Sequence, residues 1–200
     1  MAVHLTRIYT RTGDRGTTAL GDMSRVAKTD ARVGAYADCD ETNSVIGIAL
    51  ASGGLSERTS AMLRIIQNDL FDVGADLCTP IVEEPEYPPL RVTEDQVRQL
   101  ESWCDTVNEA LPRLNSFILP GGTLAAAHLH HARTVSRRAE RSAWALAETA
   151  EVNDCALRYL NRLSDLLFIL ARVENPDGDV LWRPGGERAT GSSAGEPDAG

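Results

Sequence analysis

Between residues 31 and 173, apolar side chains recur at intervals of three and four positions, which places them along one face of an α-helix. The clearest stripe consists of Val97, Leu100, Cys104, Val107 and Leu111. The pattern predicts five helices, at about residues 32–51, 56–78, 93–111, 123–149 and 153–173. No strand-like alternation of any length is found. The chain is therefore predicted to be an all-α, five-helix bundle.

Proline, glycine and capping residues separate these helices. Pro80 breaks the chain after the second helix, and a Pro-Gly-Gly turn beginning at Pro120 precedes the fourth. Thr93 and Gln96 have the capping-box spacing that begins a helix, so they mark the start of the third. Asn153 is a candidate cap for the fifth helix.

The 200 residues suit one domain with a sizeable core, and we assign residues 1–184 to it. Residues 1–30 form a polar loop rich in Gly and Thr, and residues 31–173 form the bundle. The segment 185–200, rich in Gly, Ser, Ala and Glu, is predicted to be a disordered tail.

Composition excludes several classes of protein. The formal net charge of −9 argues against nucleic-acid binding, which needs a basic surface. No run of eighteen apolar residues and no signal peptide is present, so we expect a cytoplasmic protein without a membrane span. No C-x-x-C pair occurs, and we interpret the four cysteines as small core residues, namely Cys39, Cys78, Cys104 and Cys155.

The segment 9–18, YTRTGDRGTT, combines glycines with hydroxyl side chains. Glycine lets backbone N–H groups approach an anion closely, and threonine hydroxyls add hydrogen-bond donors. The G-x-x-x-x-G-K-[ST] phosphate loop is absent. From these residues alone, a phosphate-binding loop and a plain surface turn are equally well supported.

Arg133, Arg137 and Arg141 lie four positions apart on the fourth helix, so they share one side of it, named here the arginine face. Like charges at this spacing destabilise a helix by roughly 0.2–0.5 kcal/mol per pair, and the neighbouring Glu140 offsets only part of this. Guanidinium groups pair bidentately with phosphate oxygens. The pattern therefore indicates a polyphosphate ligand, with a solvated charged face as the alternative.

Less specific patterns mark three other places. Asn161, Arg162 and Asp165 are neighbouring polar residues of the fifth helix. Asn161 and Asp165 share a face, where an amide could hold a nucleotide, although an ordinary solvated face explains the spacing better. Asp40 and Glu41 could bind a metal or an arginine, with the same default explanation. Phe117 precedes the glycine turn and fits either the core or one wall of a pocket. The H-E-x-x-H metal motif is absent, so we expect no metal site at His128, His130 and His131.

Five stretches together resemble the propanediol-utilisation (PduO-like) type of ATP:cob(I)alamin adenosyltransferase. They occur in the family's order and span residues 9 to about 172, and the stretch on the fourth helix is highly specific. The stretches are YTRTGDRG (9–16), DETNS (40–44), FILPGGT (117–123), LHHARTVSRRAER (129–141) and YLNRLSD (159–165).

The resemblance implies a homotrimer of five-helix bundles with ferritin-like up-and-down packing, an N-terminal ATP-binding loop and active sites between subunits. Asp40 and Arg133 are implied to form a salt bridge across that interface, and Phe117 to bind cobalamin and displace its lower ligand. The implied ATP-binding residues are Thr10, Arg11, Thr12, Gly13, Thr18, Lys28, Arg137, Arg138, Glu140, Arg141 and Asn161.

The implied reaction transfers the 5′-deoxyadenosyl group of ATP to the cobalt of cob(I)alamin, giving adenosylcobalamin and triphosphate. Co(I) is itself a strong nucleophile, so the protein's tasks are positioning and stabilisation of the leaving group, with Mg²⁺ carried by ATP as a helper. Arg137, Phe117 and Glu140 are the expected catalytic residues. A cob(II)alamin reductase is an implied partner, and a cobalamin-dependent mutase is a candidate acceptor of the product.

Two positions depart from the family pattern, since Ala37 replaces the usual Gly and Thr42 the usual Leu. Both are small changes beside Asp40, and they affect only local packing. Three other classes fit parts of the sequence: a kinase of a small metabolite, a non-catalytic protein that binds ATP or cobalamin, and a ferritin-like di-metal bundle. The last requires paired E-x-x-H motifs, and none is present.

Overall fold

The computed structural model describes residues 9–85 and 87–185, and these residues form five α-helices and one short β-hairpin. The helices begin and end within about three residues of their predicted bounds, and the all-α fold is confirmed. The helices are α1 (Ala31–Ala51), α2 (Glu57–Cys78), α3 (Glu94–Asn108), α4 (Leu124–Ala147) and α5 (Asp154–Val173). The antiparallel strands are β1 (Thr17–Ala19) and β2 (Arg25–Ala27).

Successive helices run in opposite directions, which confirms the up-and-down packing. Helix α1 packs against α2 and α4, and α5 packs against α4 and α3. Asp38, near the start of α1, contacts Ser142 near the end of α4, whereas Gly54 after α1 lies beside Ala125 at the start of α4. Residues 9–30 therefore lie at the end of the bundle where α1 begins and α4 ends, and the 109–123 loop, which carries Phe117, lies at the opposite end, where α4 begins.

The predicted apolar stripes form the core. Leucines of α5 that recur at helical spacing are almost wholly buried, among them Leu160, Leu163, Leu167 and Leu170. Burying each such side chain contributes about 1.5–3 kcal/mol. Tyr159 is also fully buried, and its hydroxyl donates to Asp69 Oδ2 at 2.9 Å. Burial, with Asp69 beside it, raises the pKa of Tyr159 well above its usual value.

Two features differ from the sequence prediction. Helix α3 ends at Asn108, and Leu111 lies outside it in a turn, where its N–H donates to the Asn108 carbonyl. Pro112 follows at once and disfavours helical backbone at the residue before it. The hairpin was not predicted, because three-residue strands are too short to give a detectable alternation.

Other predictions of organisation have mixed outcomes. The predicted tail lies outside the described residues except for Gly185. In the described ranges, no helix is long and apolar enough to cross a membrane. All four cysteines are free. Cys39 is a core residue whose burial raises its pKa to about 12. Cys104 and Cys155 are half-buried and pack against the core, whereas the half-buried Cys78 is not part of the core cluster, so the core interpretation is wrong for Cys78.

Asp76 joins three parts of the chain at the end of α2. Its side chain is 1% exposed; Oδ1 accepts from Arg91 at 2.7 Å, and Oδ2 accepts from the Val92 N–H at 2.8 Å and from Asn153 Nδ2 at 2.7 Å. The carboxylate therefore fixes the proline-rich loop and the start of α5 against α2. Removing one partner of a buried ion pair leaves the opposite charge buried without compensation.

We expect Asp76→Ala to lower the free energy of unfolding by about 3 kcal/mol, because it strands the Arg91 guanidinium and the Asn153 amide. Urea denaturation followed by circular dichroism measures the change. Asp95→Ala, which removes an exposed ion pair with Arg98, is the matched control and is expected to have little effect. Equal unfolding midpoints for the two variants would contradict this role of Asp76.

Candidate active site

The loop before β1 is shaped by Arg25, a side chain that the sequence did not single out. Its guanidinium donates to the Thr12 carbonyl at 2.8 Å and to the Thr17 hydroxyl at 2.7 Å. The hydroxyls of Thr10 and Thr12 are hydrogen bonded at 2.9 Å. Arg11 has a φ of 61°, a conformation that is uncommon for a non-glycine residue. The loop thus has a defined, strained backbone, as loops that bind ligands often do.

Lys28 lies directly against this loop. A Cβ built on Gly13 would lie 3.2 Å from the Lys28 Nζ, and the Lys28 N–H donates to the Gly16 carbonyl at 2.9 Å. Thr18 is on β1, opposite Val26 on the strand that leads to Lys28. The structure therefore gathers all six predicted loop residues into one unit, in which an ammonium group borders a glycine turn. Such a unit suits an anion.

The arginine face has cations without partners. Arg137 and Arg141 are exposed and form no ion pair with any described residue. Arg133 is half-buried, its Nε is buried without an acceptor, and burial together with Arg137 lowers its pKa. Asp40 is exposed and likewise has no ion pair within the described ranges. Arg133 and Asp40 are therefore not paired with each other inside one chain.

Arg138 differs from its neighbours, because it is engaged within the chain. It forms ion pairs with Asp38, at 3.2 Å, and with Glu41, both on α1. These carboxylates raise its pKa, and Ser142 also donates to Asp38. Arg138 thus ties α4 to α1, and its predicted contact with ATP stays a prediction.

Asn161 and Glu140 belong to a hydrogen-bonded row that crosses from α4 to α3. Asn161 Nδ2 donates to Glu140 Oε1 at 3.0 Å, while its Oδ1 accepts from Arg162 at 2.5 Å. Arg162 in turn pairs with Glu101 at 2.9 Å. A guanidinium has donors only, so Arg162 sets the amide orientation that turns Nδ2 toward Glu140. The sequence singled out Arg162 beside Asn161 but missed Glu101, since Glu101 is 61 positions from Arg162 and no local pattern joins them.

Phe117 is 79% exposed, so the alternative of a core position is wrong. It lines a cavity of about 660 Å³ together with Ser116, Ile118, Arg133, Phe168 and Trp182, among others. A second cavity, of about 300 Å³, is lined by Arg133, Arg137, Ser164, Asp165 and Phe168, among others. The two cavities share Arg133 and Phe168. An apolar recess beside Phe117 therefore continues into a recess that contains a cation of the arginine face.

One histidine of α4, His130, contacts a side chain that lines both cavities. His130 is buried, and its ring meets the Phe168 ring edge-on at a centroid distance of 6.1 Å. Burial, and then Arg133, lower the pKa of His130, which favours a neutral imidazole. Among the described residues, no group of three or more His, Cys, Asp or Glu side chains is arranged to hold a metal ion.

Among the described residues of a single chain, the predicted ATP contacts of the N-terminal loop are not brought together with those of α4 and α5. The N-terminal loop is attached near the end of α2, where the Gly21 N–H donates to the Cys78 carbonyl at 3.1 Å. Within 9–85 and 87–185, no hydrogen bond or ion pair joins residues 9–30 to the arginine face, Glu140 or Asn161. The proposed nucleotide contacts thus fall into two separate groups on one molecule.

Comparisons with known proteins identify the family of this chain. The family model described as cobalamin adenosyltransferase matches residues 8–174. A corrinoid adenosyltransferase of Mycobacterium tuberculosis (strain ATCC 25618 / H37Rv) is 66% identical over 190 residues, which cover 94% of this chain and 98% of that protein. A corrinoid adenosyltransferase of Bacillus subtilis (strain 168) is 46% identical over 183 residues, covering 88% and 92%.

Solved structures show the same similarity. A variant PduO-type ATP:corrinoid adenosyltransferase from Lactobacillus reuteri, complexed with cobalamin and ATP, has a TM-score of 0.82 and 37% sequence identity. The match covers 89% of this chain and 100% of that one. The resemblance seen in the sequence is confirmed. The chain belongs to the cobalamin adenosyltransferase family.

Proposed function

We propose that this chain is an enzyme that transfers the 5′-deoxyadenosyl group of ATP to the cobalt of cob(I)alamin. The observation that carries the proposal is the pair of adjoining cavities, one bordered by Phe117 and the other by Arg137, with Arg133 and Phe168 in both. A flat apolar macrocycle and a charged triphosphate need such different surfaces side by side. The family and the ligands of the Lactobacillus reuteri structure support the same assignment.

In this reaction the cobalt–carbon bond forms as the bond between C5′ and its oxygen breaks. Co(I) supplies the electron pair, and triphosphate leaves with that oxygen. Arg137 and Arg141 are exposed on a rigid helix and have no ion pair in the described part of the chain, so they are suited to meet the charge that develops on the leaving group. Mg²⁺ enters as part of the MgATP substrate. Glu140, held by Asn161, orients a neighbouring arginine or the metal.

The site is completed by a second subunit in our proposal. The N-terminal loop of one chain would close over the arginine face of the next, because no hydrogen bond or ion pair joins the two groups among the described residues of one molecule. Arg133 and Asp40, neither of which has an ion pair with a described residue of its own chain, support a salt bridge across the same boundary. We propose a homotrimer, since that is the assembly which the family resemblance implies.

Phe117 is proposed to occupy the side of the corrin from which the lower cobalt ligand is removed. Loss of that ligand raises the reduction potential of Co(II), so that a cob(II)alamin reductase can deliver the electron. A cobalamin-dependent mutase is the proposed acceptor of the product, and the cytoplasmic location stays a prediction.

Incubation with MgATP and chemically reduced cobalamin tests the reaction. We expect the spectrum of adenosylcobalamin together with one triphosphate for each product molecule. Release of ADP instead would identify a kinase of a small metabolite, and tight binding without turnover would identify a carrier.

Arg137→Ala is expected to lower kcat about 100-fold, because it removes a positioned cation from the leaving triphosphate. Turnover is measured from the cobalamin spectrum, and oligomeric state by sedimentation should not change. Arg98→Ala, which removes an exposed arginine of α3, serves as the control for loss of charge alone. Wild-type turnover in Arg137→Ala would disprove its role.

The salt bridge between subunits is tested by charge exchange. Arg133→Asp and Asp40→Arg should each weaken the trimer, since each places like charges against one another across the interface. The double exchange should restore part of both assembly and turnover. Sedimentation velocity at micromolar concentration measures the effect, and a double variant no better than either single one would exclude the pairing.

Arg162→Met is expected to raise the KM for ATP about tenfold, because the Asn161 amide loses the donor that fixes its orientation. Arg158→Met is the matched control. Arg158 pairs with Glu94 at 2.7 Å and joins the same two helices one turn away, without contact to Asn161. Equal KM values in the two variants would show that the row from Glu101 to Glu140 does not position the site.

A further inference from the structure

The chain returns to Phe117 after α5 ends. The Trp182 N–H donates to the Phe117 carbonyl at 2.7 Å, and the Leu119 N–H donates to the Val180 carbonyl at 2.8 Å. Ile118 and Leu181 form an isolated antiparallel bridge between these two segments. The Ser116 hydroxyl also donates to the Trp182 carbonyl, at 3.1 Å. Residues 116–119 and 180–182 thus behave as a miniature two-stranded unit.

The Trp182 ring supports the Phe117 ring directly. The centroids are 6.1 Å apart and the planes are inclined at 72°, which is the favourable edge-to-face arrangement. Within the described ranges, Trp182 is the only aromatic ring in contact with Phe117. Both rings border the cavity that also contains Arg133 and Phe168.

This unit is anchored to the bundle at both ends. Arg172, buried near the end of α5, donates to Asp179 at 2.8 Å and to the Pro112 carbonyl at 2.8 Å. On the other side, Gly122 has a φ of +99°, and a Cβ there would lie 2.4 Å from Asn175 Oδ1. The backbones that carry Phe117 and Trp182 are therefore held in place independently of their side chains.

We infer that Trp182 is a positioning residue, which holds the Phe117 ring in the orientation needed to displace the lower ligand of cobalamin. The inference rests on the proposed function. A ring that is 79% exposed and has one aromatic neighbour depends on that neighbour for a single rotamer. Trp182 lies beyond the 8–174 family match, so the site extends into a segment that the family model does not cover.

The experiment measures the cobalamin spectrum rather than turnover. The ATP-loaded protein is mixed with cob(II)alamin, and absorption and electron paramagnetic resonance spectra give the fraction of cobalt without a nitrogen lower ligand. Trp182→Ala should lower the equilibrium constant for ligand displacement about fivefold, and Trp182→Phe should restore most of it. Affinity for ATP should be unchanged in both variants.

Val180→Ala is the matched control, because it changes a side chain of the same segment and leaves the backbone bridge intact. It should retain the wild-type fraction of cobalt without a nitrogen lower ligand. A double-mutant cycle with Phe117→Ala separates the proposed role from a general one, since Trp182→Ala should have no further effect once Phe117 is gone. If Trp182→Ala does not fold, Trp182→Leu and Trp182→Phe are compared, because only the latter retains a ring.

Three outcomes overturn the inference. In the first, the fraction of cobalt without a nitrogen lower ligand is unchanged in Trp182→Ala or Trp182→Leu. In the second, Val180→Ala lowers this fraction as much as Trp182→Ala does. In the third, Trp182→Ala lowers it by the same factor in the Phe117→Ala background as in the wild-type protein. In each case, if the wild-type protein still displaces the lower ligand of cobalamin, the proposed function is retained. A wild-type protein that never displaces the ligand and forms no adenosylcobalamin would overturn the proposed function itself.

Discussion

The close packing of α4 between α1 and α5 determines where the arginine face points. Ala132, Ser136, Ala139 and Ala143 are fully buried along its inner side, and these small side chains allow the helices to approach one another closely. A larger side chain at any of them would force the backbones apart. A helix held this firmly fixes the backbone positions from which the guanidinium groups of its outer side extend, without depending on flexible loops.

The sequence predicted the helices well because their bounds depend on local information. Apolar periodicity, the capping box at Thr93 and the cap at Asn153 all act within a few residues, and the Thr93 N–H does donate to Gln96 at 2.9 Å. The hairpin was missed because its strands have three residues each. Helix α3 was extended to Leu111 because the apolar spacing continues for one turn beyond the hydrogen-bonded helix.

Some functional residues could also be predicted from the sequence, whereas others could not. Arg137, Arg141 and Lys28 were predicted from spacing and family motifs, and the structure leaves the two arginines exposed. Arg25 and Trp182 were not predicted, since Arg25 bonds to loop carbonyls and Trp182 acts only because the chain returns to the 116–119 segment. Interactions set by tertiary contact leave no periodic pattern in a sequence, whereas those set by helix geometry do.

A site divided between two chains is the central claim, and complementation tests it most directly. Arg137→Ala inactivates the arginine face, and Lys28→Ala inactivates the loop. Trimers co-refolded from equal amounts of the two variants should contain intact sites at about one quarter of their interfaces, because one chain then supplies a native loop and its neighbour a native arginine face. We predict about one quarter of wild-type turnover. Activity no greater than that of the separate variants would contradict a shared site.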